Sequence, residues 1–351
     1  MEDVVNGFNS EEEENANINE PQAFNAADYE SKKIITFFKD KGLLVKEFQC
    51  PICSKIMIME YNKQYIDNYC YRCRSKSPKH DIKVNIRNNS IFSDIRIPIN
   101  IIYNLLFNCF LKNIGINKTF INNSDFCSKL GLPKTTFNTI IKFYRILREK
   151  IRTKYHKIWN ENPLGIEPDD TGVSRIEIDE SSIIGNEEKV IWMFGLIDRV
   201  DKKAKVFCVM SDRRKETLLP LVKKHVYTSG LENENPEFAT RIYSDCFSVY
   251  QVSDFADMGF LLKKVNHSIW FGQGLFHTNS IEGLWSSIKR ISNHFAGLNI
   301  KMLNDLENEG IDPQKYLDGW ICFCLFIRDI EKNKFTEEQA KLYLIDLLKN
   351  N

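Results

Sequence analysis

The spacing of apolar positions changes character along this chain, and the changes mark out its elements. Residues 1–28 carry few large apolar groups around Glu11-Glu12-Glu13-Glu14, too few to offset the entropy of ordering, and they read as a disordered acidic tail. Over 29–46, Ile34, Ile35, Phe37, Phe38, Leu43 and Leu44 recur at the spacing of a short amphipathic helix. A short hairpin is predicted over 61–71 and a buried helix over 95–113. Residues 124–137 read as a helix, a turn at Gly131 and a second helix. That second helix continues through Phe143, Tyr144, Ile146 and Leu147 with Lys142, Arg145 and Arg148 outward. Pro163, Gly165, Pro168 and Gly172 punctuate 158–172 as a linker.

From residue 173 strands and helices alternate. The run 174–180 alternates apolar and polar positions and ends in two acids, Asp179 and Glu180. A long apolar strand over 189–200, a turn at 201–203 and a third strand over 205–210 follow. Residues 216–227 have helical spacing, with Pro220 tolerable only in the first turn. Next come a fourth strand ending in Asp245 (241–245), a helix (248–258) and a fifth strand (261–265). A helix over 277–290 and a packing helix over 320–327 complete the pattern. A three-stranded meander, then helix, strand, helix, strand and helix, is the element order of a ribonuclease H-like α/β fold. In that order the first and fourth strands are neighbours.

Composition adds two facts. No run of 18 uncharged apolar residues occurs and the start is acidic, so neither a membrane span nor a signal peptide is expected. The chain is therefore read as intracellular, nuclear in a eukaryotic host and cytoplasmic otherwise, and its ten cysteines point away from disulfides. The net charge of +1 hides a segregation: residues 1–30 hold nine acids and no Lys or Arg, whereas 31–160 hold 25 Lys/Arg against 8 Asp/Glu, a net of +17. A confined basic excess of that kind is the footprint of a polyanion binder.

Within the basic region, Cys50-Pro51-Ile52-Cys53 and Cys70-Tyr71-Arg72-Cys73 are two C-x2-C pairs separated by sixteen residues. That spacing predicts a structural Zn2+ held by Cys50, Cys53, Cys70 and Cys73 in a zinc ribbon. Lys55, Arg72, Arg74, Lys76 and Lys79 interleave the pairs, so the ribbon is expected to touch nucleic-acid phosphates. Cys208, Cys246, Cys322 and Cys324 lie in apolar runs as core thiols, and His267 and His294 read as structural.

The chemistry gathers on three carboxylates. Asp179 and Asp245 would project from neighbouring strand ends into one site. Read as a helix, 277–290 puts Glu282, Trp285, Ser286 and Lys289 on one face, where Glu282 can reach the same point. Alternatively, Asn279 caps this helix and Glu282 closes a capping box. Three converging carboxylates suit two Mg2+ ions, with Mn2+ as an alternative, serving the attacking and leaving oxygens of phosphoryl transfer. Neither a Gly-rich phosphate loop nor a G-x-S-x-G elbow offers a competing chemistry.

The same residues carry a resemblance. Its pieces are Asp179-Glu180, the stretch from Glu216 through Leu218, Leu219 and Pro220 to His225, Ser244-Asp245 followed by Tyr250, and Val265-Asn266-His267. With His277-Thr278-Asn279-x-Ile281-Glu282-Gly283-x-Trp285-Ser286-x-x-Lys289-Arg290 they resemble the DDE transposase domain of the Merlin superfamily and its ISXO-type insertion-sequence relatives. A ribbon followed by a helix-turn-helix is similar to that family's N-terminal half.

The resemblance implies that Asp179, Asp245 and Glu282 are a catalytic, Mg2+-binding triad. It also implies that Lys289 contacts a DNA phosphate and that Asn279 or His277 assists or replaces a ligand. The implied activity is Mg2+-dependent strand cleavage and strand transfer at transposable-element ends. The implied partner is double-stranded DNA with terminal inverted repeats, bound by a homodimer or larger assembly without a membrane. Two departures, Ser181-Ser182 for the usual Thr-Tyr and Cys246 for the usual Gly, remove no carboxylate. The alternatives are a domesticated, non-catalytic DNA-binding protein and a nuclease that hydrolyses strands without joining them.

The expected organisation is an acidic tail (1–28), a zinc ribbon with leading helix (29–90) and a helix-turn-helix DNA-binding domain (91–157). A linker (158–172), the ribonuclease H-like transposase domain (173–335) and a C-terminal helix (336–351) follow.

Overall fold

The computed structural model describes residues 26–185, 189–210, 212–228, 240–265, 277–293, 298 and 300–349. Among them the chain is mixed α/β, with two sheets and ten α-helices. Helix α1 (Ala26–Asp40) buries Ile34, Ile35 and Phe38, and Phe38 stacks on Phe92 at 5.2 Å. A small antiparallel sheet follows, β1 (Ile58–Tyr61), β2 (Tyr69–Lys76) and β3 (Lys79–Asn85), in that order. The predicted hairpin is β1–β2. Strand β3 was not predicted, although Ile82 and Val84 alternate with Asp81, Lys83 and Asn85; two half-buried apolar residues make only a short stripe.

The helix expected from residue 95 begins later, as α2 (Ile99–Tyr103), and runs on into a π-helical segment, Asn104–Phe110. The cause is a buried ion pair. Arg87, 1% exposed, pairs with Asp67 and donates to the carbonyls of Ile95 and Ile97, which holds 95–98 out of the helix. Asp67 also accepts from Ile99 N at 2.9 Å, satisfying one of the donors that every helix start leaves open.

Helix α3 (Ile116–Leu130) ends at Gly131, whose φ of 63° is the left-handed C-cap geometry glycine tolerates best. Helix α4 (Phe137–Glu161) starts where Thr136 Oγ1 accepts from Thr139 N at 3.2 Å. Arg148 does not face outward as expected. It lies on the buried stripe of α4, with Tyr144, Leu147 and Ile151. The predicted linker is tied down: Lys205 Nζ donates to the carbonyls of Trp159 and Asn162 at 2.7 Å each, and Gly165 N donates to Asp198 at 3.0 Å.

The second sheet contains β4 (Arg175–Gly185), β5 (Val190–Asp198), β6 (Ala204–Met210), β7 (Arg241–Ser244) and β8 (Leu261–Lys264), in the order β6-β5-β4-β7-β8. The first three are antiparallel, whereas β7 runs parallel to β4 and β8 parallel to β7. Strand β4 does not end at its two acids. Ser181 to Gly185 continue the pairing with β5, so Asp179 lies in mid-strand.

In α5 (Lys215–His225) Pro220 falls beyond the first turn, contrary to expectation. Glu216 and Pro220 are both on the exposed side, where water can donate to the carbonyl the proline leaves open. Helix α6 (Val252–Ala256) is shorter than predicted. The rest is α7 (Asn279–Asn293), α8 (Ile300–Asn308), α9 (Pro313–Lys332) and α10 (Glu337–Leu348). Every residue of α9 from Leu317 to Ile327 is buried, because it packs against α4, α7 and β6 at once. The rings of Phe110 and Phe323, 4.5 Å apart, join the N-terminal helices to that core.

Cys208, Cys322 and Cys324 are buried, but Cys246 is exposed because the chain leaves the sheet just before it. His267 and His294 lie outside the described residues. Among the described residues, no helix is long and apolar enough to cross a membrane.

Candidate functional site

Two clusters of chemical groups stand out. The first is a thiolate–imidazole group in the small sheet. Cys50 and Cys53 sit on a turn closed by Cys50 N→Lys55 O and Ser54 N→Cys50 O, both 2.9 Å. Cys53 Sγ is 3.6 Å from Cys73 Sγ, and His80 Nε2 is 3.4 Å from the sulfurs of both Cys50 and Cys73. The ligand atoms of Cys50, Cys53, Cys73 and His80 all lie within 4.8 Å of one another. Four N/S donors at these separations match a tetrahedral site with bonds of about 2.0–2.3 Å, so the cluster could hold zinc. His80 Nδ1 lies 2.8 Å from Pro78 O, and donating there leaves Nε2 free to ligate.

The four-cysteine expectation is thereby corrected: Cys70 is outside the cluster. The reason is the period of a strand. Cys70 and Cys73 are both in β2, and an offset of three places them on opposite faces. Cys70 is instead buried beside Asn62, whose amide lies 3.9 Å from its sulfur. His80 was missed because the unpredicted β3 brings it back over β2, where it pairs with Ser75, two residues from Cys73 and on the same face. Arg72, expected to meet phosphate, is engaged by Glu60 and Asp81.

The second cluster lies where α7 crosses the large sheet. Parallel pairing of β4 with β7 runs Arg175↔Arg241, Ile176↔Ile242 and Glu177↔Tyr243, and continuing that register brings Asp245 level with Asp179. Trp285 Nε1 on α7 donates to Asp179 Oδ2 at 2.8 Å. The indole can lie there because Gly195, cross-strand from Asp179, has no side chain; a Cβ would stand 2.5 Å from Trp285 Cη2.

Burial pushes the Asp179 carboxyl up to about 6; the charges of Asp245 and Glu282 add to the rise, and the Trp285 bond opposes it. Burial, then Asp179 and Asp245, push Glu180 up to about 8, with Arg213 opposing. Glu180 Oε1 is buried without a hydrogen-bond partner. Asp179 and Glu180 are half-buried and on opposite faces of β4, so the mutually repelling acids that suit a cation are Asp179, Asp245 and Glu282.

A residue the sequence reading passed over fixes this geometry. Glu177 is fully buried, accepts from Arg199 Nε at 2.7 Å, and accepts from Ile281 N at 2.9 Å at the start of α7. A carboxylate there satisfies an open helix-start donor and complements the helix dipole. The alternation Arg175-Ile176-Glu177-Ile178-Asp179 was the available signal, since period two puts Glu177 on the Asp179 face.

Of the predicted residues, Asp245 and Glu282 are close enough to Asp179 for their charges to raise its pKa. Glu282 is exposed on α7 and accepts from Thr278 Oγ1 at 3.1 Å. Their oxygens do not close as the zinc ligands do: among the described residues, only the Cys50 group falls within 4.8 Å. Lys289 is exposed two turns further along α7, on the Glu282 face. Asn279 lines a different cleft, with Lys202, Arg328 and Lys332, and His277 lies 3.5 Å from Glu177.

Compared with known proteins, the sequence matches no family model and no curated protein. Among solved structures, a cryo-EM structure of a simian T-cell lymphotropic virus intasome in complex with PP2A regulatory subunit B56 gamma aligns at 10% identity. The alignment covers 55% of this chain and 58% of that one with a TM-score of 0.24, too slight a likeness to carry an argument.

Proposed function

We propose that the chain is a Mg2+-dependent DNA transposase of the Merlin/ISXO type, with Asp179, Asp245 and Glu282 as its catalytic carboxylates. The observation that supports this reading is the parallel pairing of β4 with β7, whose register extended two residues past Glu177↔Tyr243 sets Asp245 opposite Asp179, together with the effect of the Asp245 and Glu282 charges on Asp179. The strand order, a meander extended by two parallel strands, is the one a ribonuclease H-like fold would require and supports the same reading.

The donor set fits hard divalent cations: the groups are carboxylate oxygens, and their mutual repulsion falls when cations bind. When bound, two Mg2+ ions would neutralise phosphate charge and activate the attacking oxygen. The chain's own residues divide the remaining work. Trp285 orients Asp179, Glu177 fixes the start of α7 and therefore the position of Glu282, and Lys289 takes a DNA phosphate. Asp245 and Glu282 complete the cation-binding face. The cleft position of Asn279 favours Glu282 over Asn279 as third ligand.

The basic region of net +17 and the α3–α4 pair would hold the DNA, so binding should weaken steeply with salt. The experiment is a strand-cleavage and strand-transfer assay on DNA carrying the repeats that flank the coding sequence. Glu282→Gln should abolish Mg2+-dependent cleavage while DNA binding persists, and Asn279→Ala should retain most of it. Binding without cleavage in the unaltered protein would favour the domesticated reading, and cleavage without joining the nuclease reading. Near-normal cleavage by Glu282→Gln would remove Glu282 from the site.

A further inference from the structure

Arg148 is a buried charge that the proposed chemistry does not use. It is 4% exposed, with its guanidinium 3.9 Å from the Trp320 ring centre and 5.6 Å from that of Tyr316. Burial pulls its pKa down, with Tyr316, Tyr144 and Cys324 opposing. Carboxylates around it are committed elsewhere. Glu149 accepts from Arg152 at 2.7 and 2.8 Å, Asp312 caps α9 through Gln314 N and Lys315 N, and Glu309 pairs with Arg145 at 3.7 Å. A buried guanidinium with no salt-bridged carboxylate among the described residues is costly unless something else meets its N–H groups.

Two clefts, of about 320 and 600 Å³, meet at Arg148. The larger lies between the start of α4 and helices α8 and α9, with Phe137 and Tyr316 as aromatic walls and Asn138 and Lys142 at exposed positions. Helix α9 passes close to α4 here: a Cβ at Gly319 would be in ordinary van der Waals contact with Arg148 at 3.5 Å. Trp320 covers a face of the guanidinium, and its N–H edge is the part left to donate, which suits a phosphate held by two parallel hydrogen bonds. Lys142 adds positive charge at the same cleft, whereas Arg145 is paired there with Glu309 at 3.7 Å.

We propose that this cleft binds one unstacked nucleotide, with its phosphate on Arg148 and its base against Phe137 and Tyr316. The volume falls within the usual range for a small-molecule site, about 300–1,000 Å³. Base stacking on aromatic walls tolerates any sequence, and the Asn117 and Asn138 amides can meet a base edge. The nucleotide has two sources, a free nucleotide or the end of a DNA single strand.

The test titrates the full chain with dAMP, deoxyadenosine, orthophosphate and a 5′-phosphorylated six-residue oligodeoxyadenylate. Its readout is binding rather than cleavage, so its failure would leave the carboxylate reading standing. The expected result is that dAMP or the oligonucleotide binds, with deoxyadenosine and orthophosphate weaker by roughly tenfold or more. Arg148→Lys, which keeps the charge and loses the fork, should weaken binding by a similar factor. Asn138→Trp, at an exposed position, fills the cleft without disturbing the core and should block binding. Tighter binding of the oligonucleotide than of dAMP assigns the site to a strand end; equal binding assigns it to the free nucleotide. The proposal is overturned if neither binds, if orthophosphate binds as tightly as dAMP, or if Asn138→Trp leaves binding unchanged.

Discussion

Gly195→Ala tests how the sheet and α7 hold Asp179. The added Cβ would lie 2.5 Å from Trp285 Cη2 and 2.8 Å from Cζ2, closer than carbon atoms approach. Trp285 is 6% exposed and packed in the core, so the indole has little room to yield. Overpacking of this kind costs about 1–3 kcal/mol. Relief of a glycine in a strand returns about 0.5–1 kcal/mol, leaving a net loss of up to about 2.5 kcal/mol.

The displaced indole also loses its 2.8 Å bond to Asp179, and a hydrogen bond to a charged group is worth about 1.5–3 kcal/mol. Without that donor the Asp179 carboxyl, already pushed up to about 6, rises further, so cation binding requires a higher pH. The assay is denaturant unfolding of the parent, Gly195→Ala, Trp285→Phe and the double variant. Phenylalanine lacks the far ring that carries Cη2 and Cζ2, so Gly195→Ala should cost little in that background. The coupling should reach about 1 kcal/mol or more. Additivity within about 0.3–0.5 kcal/mol would refute the reasoning.

Other predictions follow from the same geometry. Cys73→Ser and His80→Ala should each lose zinc and loosen the small sheet, whereas Cys70→Ser should keep about one zinc per chain by metal analysis. Equal loss in Cys70→Ser would reinstate the four-thiolate arrangement. Asp318 offers a pH test, because burial above all pushes its carboxyl up from 3.8 to about 7. A carboxyl raised on folding favours the protonated state, so its contribution is full below about pH 4 and is lost as pH rises through 7. Asp318→Asn, which keeps an acceptor for Cys208 N, should flatten that fall between pH 4 and 7 in denaturant unfolding. An unchanged slope would reject the assignment.

What the sequence by itself determined was local. Alternation predicted the strand that carries Asp179 and a strand that stops just before Asp245, and 3.6-residue spacing predicted helices, because both patterns depend only on neighbours along the chain. The first C-x2-C also read correctly as a knuckle, since a turn brings Cys50 and Cys53 to one side. Tertiary structure decided what those elements meet. Cys70 and His80 exchanged roles because β2 continues straight through the second C-x2-C and a polar third strand returns over it. Arg148 looked like a surface cation until Trp320, 172 residues further on, covered it. Glu177 and Gly195 are unremarked letters in their strands, yet a carboxylate at the start of α7 and a missing Cβ beneath Trp285 set where Asp179 and Glu282 stand. Such contacts join residues far apart in the chain, and they depend on register and helix crossing, which no local period encodes.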